Sequence, residues 1–209
     1  MTQRISDLIP AATPTKKPPS SSDRNNTCGI SNNLTPSISQ RLGNCPSDFL
    51  TAYNPDRANN IIAKGYTPGE VAMLPDTPTL ADVSAKFDES TAIKWLTIQI
   101  DSADIIGGTK AFPEEARYSL ASLLLAAYGY LNIGEFLLFF ARYRLGDYTD
   151  IPVGGLQKIS AALRRYVDNR NLDIRRIERE QYNRQQEAMR REWAAKAISY
   201  EEYLNTKDQ

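Results

Sequence analysis

The sequence predicts an all-α protein: a compact multi-helix domain with a disordered N-terminal tail and a long, projecting C-terminal helix. Three observations predict it. Apolar residues recur at helical spacing across most of 46–168, prolines open several of these runs, and no proline or glycine interrupts the chain from Leu156 to Ala197. The boundaries that follow are a tail over 1–45, a helical domain over 46–168, and a charged helix with a short terminal helix over 169–209.

The densest apolar stretch, 113–145, organises the domain. Pro113 suits a first helical position, where its missing N–H costs nothing. Glu114 and Glu115 follow, where negative charge meets the positive end of the helix dipole. From Tyr118 to Tyr128 the residues are apolar nearly all round, which predicts a buried helix. Gly129 weakens that helix, and Asn132 caps a second one carrying Ile133, Phe136, Leu137, Phe139 and Phe140. Gly146 ends it after Arg142 and Arg144 have placed positive charge in the last turn. The stretch therefore reads as two antiparallel helices. A single membrane span from Leu120 to Ala141 would centre on Gly129, Asn132, Gly134 and Glu135. A carboxylate at mid-bilayer costs about 2.5–3.5 kcal/mol, so no membrane partner is expected. Glu135 itself pairs with an arginine in the plain reading; the sharper reading is a carboxyl of raised pKa in an apolar pocket.

Upstream, residues 1–44 are rich in Ser, Thr, Asn and Pro, with too few aliphatics to offset their ordering entropy. Ile5, Leu8 and Ile9 form the one candidate anchor within this tail. Pro46–Tyr53 and Pro55–Lys64 read as short helices, Thr67-Pro68-Gly69-Glu70 as a capped start, and Thr77-Pro78 as a second start leading over Leu80, Val83 and Phe87. Glu89–Ile106 fits an amphipathic helix, although Thr97–Asp101 alternates and is β-branched, as a strand would be. Gly107-Gly108-Thr109-Lys110 lacks the spacing of a phosphate loop and reads as a helix stop.

Downstream, Gly154-Gly155 opens a helix whose first third keeps an apolar seam through Leu156, Ile159, Leu163 and Tyr166. Its middle is mostly charged, with Glu180 to Arg184 and Glu187 to Arg191 at the i,i+4 spacing that supports a solvated helix. Ser199-Tyr200-Glu201-Glu202 has capping-box spacing and predicts a short helix from Tyr200 to Leu204.

Composition narrows the chemistry. The sequence holds 25 basic and 25 acidic residues, so no net field draws a polyanion to it. Residues 76–150 nevertheless lean acidic and residues 151–209 lean basic. There is no histidine, which removes histidine-bearing catalytic triads and zinc sites. Cys28 and Cys45 have no CxxC spacing and read as free thiols. With no apolar run at the amino terminus long enough for a signal peptide, the expected location is cytoplasmic. Asp101 and Asp104 come nearest to a carboxylate pair, and helix-end solvation explains them. No enzyme activity, cofactor, metal or small-molecule substrate is expected.

The candidate contact residues lie on the long helix. Arg164, Arg165, Arg175, Arg176, Arg179, Arg190 and Arg191 are interleaved with Tyr182 and Trp193. Arginine pairs with phosphate and exposed aromatics stack on bases. Mixed-sign charge along the same helix is also what a solvated or self-associating helix needs. A second candidate is a corner of Arg142, Arg144 and Tyr148 around Gly146-Asp147. The first expectation is a non-enzymatic interaction or adaptor protein that docks or self-associates through the charged helix. The alternative is a nucleic-acid-binding accessory factor.

GEFLLFFARYRLGDY at 134–148, GGLQKISAALRRYVDNR at 154–170 and ISYEEYL at 198–204 resemble uncharacterised helical proteins found in Bacteroidota genomes, their phages and mobile elements. The resemblance covers about the last two-thirds of the chain. It implies a helical pair, an aromatic-basic helix with a Gly-aromatic turn and a following helix that ends near arginine, and the mobile-element setting associates such proteins with replication or DNA handling. Asp147 stands where many of those sequences carry a basic residue.

Overall fold

The computed structural model describes residues 36–106, 112–197 and Tyr203, all within one compact unit, 32–209. The fold is all-α. Among the described residues the elements run α1 (Pro36–Arg41), α2 (Pro46–Ala52), a 3-10 turn (Pro55–Arg57), α3 (Ala58–Ala63), α4 (Pro68–Ala72), α5 (Leu80–Lys86), α6 (Glu89–Ile106), α7 (Glu114–Tyr128), α8 (Ile133–Leu145) and α9 (Gly155–Lys196). The alternation at Thr97–Asp101 does not make a strand. Those residues sit inside α6, where Trp95, Leu96 and Ile100 are buried on the core side.

The packed chain begins earlier than composition suggests. The segment 36–45, which composition places in the polar tail, contains α1, and Leu42 just after that helix is fully buried. One aliphatic at the right place secures the segment, and the Lys86 ammonium holds it by donating to the Ser39 carbonyl. The anchor candidates Ile5, Leu8 and Ile9 lie outside the described residues, as do Cys28, the Gly107–Lys110 stop and the capping box at Ser199. Cys45, at the start of α2, is a free thiol.

Helix α8 is the centre of this compact unit. Every residue from Ile133 to Ala141 is buried, and α3, α4, α6 and α9 pack around it. Its start is fixed by a capping box: Glu135 N–H donates to Asn132 Oδ1 at 2.8 Å, and Asn132 N–H to Glu135 Oε2 at 2.9 Å. Asn132 Nδ2 also donates to the Val71 carbonyl at 3.0 Å, tying this start to α4. Its end is Gly146 in the left-handed region at φ 90°, with its N–H on the carbonyls of Arg142 and Tyr143.

Helix α7 departs from expectation. Its sequence is apolar nearly all round, but only Leu120, Ala121 and Leu124 are buried, while Tyr118 is 53% and Leu123 65% exposed. α7 packs on α6, α5 and the edge of α9, so it lies against the body instead of inside it. Pro113 is its N-cap, one position before the one expected. The start of α5 also shifts. Thr79, not Thr77, caps it, because Asp82 completes the box three residues on.

Candidate docking arm

Helix α9 has two parts. Ile159, Ala162, Leu163 and Tyr166 are buried against the body, and Tyr166 is its last buried residue. Side chains from Val167 to Ile177 are half-buried at intervals, and the closest packing there is against α4. Gly69 sits in that crossing, where its N–H donates to Asp173 Oδ2 at 3.5 Å. From Glu178 to Lys196 every residue is exposed except the half-buried Gln186. At 1.5 Å per residue this part extends about 28 Å beyond the body.

The anchoring part centres on a buried charge. Glu135 is 1% exposed, and Arg170 Nε donates to its Oε1 at 2.6 Å. Burial raises the Glu135 pKa, opposed by the Asn132 backbone N–H and by Arg170. An arginine partner was expected, and the structure supplies it from α9, 35 residues away, instead of from Arg142 on the same helix. Arg170 also lies over the Tyr130 ring, 6.0 Å from its centroid. One guanidinium thus satisfies the cap of α8 and clamps α9 and the α7–α8 loop together.

Partners sort the arginines into two groups. Arg165 makes a two-pronged pair with Asp150 at 2.8 and 2.6 Å, Arg176 pairs with Asp173 at 3.4 Å, and Arg191 with Glu187 at 4.0 Å. Arg164, Arg175, Arg179, Arg184 and Arg190 are exposed and have no ion-pair partner among the described residues. At about 100° per residue all of these but Arg184 fall within an arc of about 80°, opposite the side that Ile159, Tyr166 and Ile177 turn to the body; Arg184 falls on that other side. Tyr182, Gln186 and Trp193 share that outward arc, with Met189 at its edge. Glu178, Glu180, Glu187 and Glu192 all fall outside it; Asp168 is the acid inside. Tyr182 is 60%, Met189 40% and Trp193 64% exposed. Met189 completes a 4-3-4 spacing with Tyr182, Gln186 and Trp193, a signal present in the sequence but set among charged residues.

The corner at Gly146 faces inward. Tyr148 is 5% exposed, packed 5.8 Å from the Phe139 ring and stacked at 6.3 Å on Tyr143. Burial pushes its hydroxyl up to about 12. Arg142 donates to the Tyr66 carbonyl at 3.4 Å, and Arg144 to the Pro55 carbonyl at 3.3 Å and to Ser102. The two arginines hold the end of α8 to the 3-10 turn, to the loop before α4 and to α6. Asp101 is likewise engaged, in an ion pair with Arg117 of α7. Among the described residues no three Cys, Asp or Glu side chains form a group that could hold a metal ion, and no helix is long and apolar enough to cross a membrane.

The class defined by this architecture is an all-helical domain carrying an exposed helical arm. Residues 112–209, which include α7, α8 and α9, match the model of a family of unknown function (DUF6633). No curated protein and no solved structure matches the chain.

Proposed function

We propose that this is a non-enzymatic docking protein whose contact element is the exposed part of α9, acting as an adaptor or through self-association in the cytoplasm. One observation carries the reading. Among the described residues, 178–196 form nineteen consecutive helical positions of which all but the half-buried Gln186 are exposed, and they present Tyr182, Met189 and Trp193 on or at the edge of the arc that faces away from the body. Aromatic rings with arginine beside them are the side chains that most often dominate protein contacts. Deleting 178–209 is expected to abolish partner capture or self-association while leaving the thermal transition of the body unchanged. Retention of every contact by the truncated protein would overturn the reading.

The arc of unpaired arginines favours a second reading, a nucleic-acid-binding accessory factor in mobile-element replication or DNA handling. Four cations in line with two aromatic rings suit a phosphate backbone with stacked bases. Against it, the exposed part is nearly neutral: Arg179, Arg184, Arg190, Arg191 and Lys196 face Glu178, Glu180, Glu187 and Glu192. The test is a titration of labelled single- and double-stranded nucleic acid at low and physiological salt. Affinity that falls steeply with salt, and is lost on charge reversal of Arg175, Arg179 and Arg190, supports this reading; no binding at low salt removes it.

A further inference from the structure

Helix α9 carries an internal 11-residue repeat. Leu163-Arg164-Arg165-Tyr166 returns as Ile174-Arg175-Arg176-Ile177, and Arg179-Glu180-Gln181-Tyr182 returns as Arg190-Arg191-Glu192-Trp193. Eleven residues make three helical turns with about 20° to spare, so equivalent positions fall almost in line, about 16.5 Å apart. The first pattern serves the body, where Leu163 and Tyr166 are buried and Ile174 and Ile177 half-buried. The second does not. Each of its copies sets an arginine three residues before a ring, as neighbours on the helix surface, and all four side chains are exposed. Neither Arg179 nor Arg190 has an ion-pair partner among the described residues. The near-neutrality of 178–196 is an average around the helix. From Arg175 to Trp193 the outward arc holds Arg175, Arg179 and Arg190 and no acid. The four glutamates lie about 80–120° round from its midline.

We propose that this arc grips a single strand of nucleic acid without regard to sequence, each Arg-x-x-aromatic unit holding one phosphate on its guanidinium and one base on its ring. This rests on the nucleic-acid reading of α9 and names its substrate class. The ligand chemistry follows from the repeat. One cation and one ring, repeated along a line, fit a chain whose every unit carries one anion and one planar ring. An acidic protein segment supplies the anion alone. A duplex supplies phosphates, but its bases are stacked on one another and closed to Tyr182 and Trp193. A single strand offers its base faces, and stacking on aromatic side chains accepts any base. A stacked strand advances about 3.4 Å per nucleotide, so a spacing of about 16.5 Å sets the two units about five nucleotides apart, or fewer on an extended strand.

The test titrates the full chain with oligothymidylates of about 4 to 16 nucleotides, with the longest of them annealed to its complement, and with polyglutamate, at low and physiological salt. Strands long enough to reach both units are expected to bind most tightly, and strands shorter than about five nucleotides about tenfold or more weakly. Binding is expected to quench Trp193, while the fully buried Trp95 gives a constant background. Tyr182→Ala with Trp193→Ala is expected to weaken binding about tenfold or more. Tyr182→Phe with Trp193→Phe is expected to keep it, because stacking needs the ring and not its polar atom. Arg179→Gln with Arg190→Gln is expected to flatten the slope of log affinity against log salt by about 0.7 for each arginine. All four positions are exposed, so circular dichroism and thermal melting of the variants are expected to match wild type. Equal affinity for duplex and single strand, without quenching of Trp193, would overturn the proposal and leave the wider nucleic-acid reading standing. Polyglutamate bound as tightly as the oligonucleotides would overturn it in favour of an acidic protein partner. No binding at low salt would remove it together with the nucleic-acid reading.

Discussion

Replacing Gly69 with alanine tests how α9 is held. Gly69 is the second residue of α4, and a Cβ built there lies 2.6 Å from Asp173 Cβ and 3.0 Å from both the Asp173 carbonyl carbon and the Ile174 nitrogen. The obstacles are backbone and a Cβ, which cannot rotate away as a long side chain would. Restoring ordinary contact requires the two helices to part by most of an ångström, along the closest crossing that α9 makes. That separation also lengthens the Gly69 N–H to Asp173 bond, already 3.5 Å. Overpacking of this kind costs about 1–3 kcal/mol, and for a chain of this size each kcal/mol moves the midpoint by about 2–4 °C. Thermal and urea unfolding measure the loss, and amide exchange locates it: protection is expected to fall in α4 and in 167–177 while α6 keeps its own. An alanine variant within about 0.5 kcal/mol of wild type and with unchanged exchange would refute the close crossing.

Two further substitutions probe the core. Leu42→Ala empties a fully buried site and is expected to cost about 2–5 kcal/mol in urea unfolding; a neutral result would detach 36–45 from the packed unit. Arg170→Ala leaves the Glu135 carboxylate buried without its cation, a loss expected near the lower end of about 3–5 kcal/mol because Arg170 is itself 19% exposed. The same carboxyl gives a pH signature. Its native pKa is raised above the ordinary 4.5, so between those two values the native state holds a proton that the unfolded chain has released. Its contribution to stability therefore declines as pH rises through the native value. Glu135→Gln is expected to flatten that part of the stability profile, and an unchanged slope would assign it to another group.

Local signals made much of this fold legible. Asn132 with Glu135, Thr67 with Glu70, Gly146 and the Gly154-Gly155 opening all specify helix ends through chemistry that reaches no further than a few residues. What the sequence did not convey is which neighbour an element meets. α7 is the more uniformly aliphatic helix, yet α8 is the buried one, because burial depends on how many helices surround an element as well as on its own composition. Leu42 shows the same limit on the scale of one residue. Glu135 reads as a carboxylate that needs a cation, but several arginines are available, and only the packing of α9 selects Arg170. At the arm the residue types were legible and their sorting was not: Arg165 and Arg176 are consumed by nearby aspartates, whereas Arg164, Arg175, Arg179 and Arg190 are left to face outward.

The arm is helical although all but one of its residues 178–196 are exposed, and its continuity with the anchored part explains why. A free helix of about this length is marginal in water, since the first turn fixes several dihedrals for one hydrogen bond. Here nucleation has already been completed by 155–177 on the body, so 178–196 need only propagate, helped by the Glu187–Arg191 and Glu192–Lys196 pairs. Glu180→Pro tests this at an exposed position. Proline removes an i to i−4 bond and costs about 3 kcal/mol in a helix interior, so the exposed part would have to nucleate alone. The expected outcome is a loss of far-UV helical signal matching the residues beyond 180, with the melting temperature of the body unchanged. A body that melts earlier would show that the arm supports the fold and is not a free extension of it; full retention of helicity would show that the exposed part is stabilised by contacts of its own.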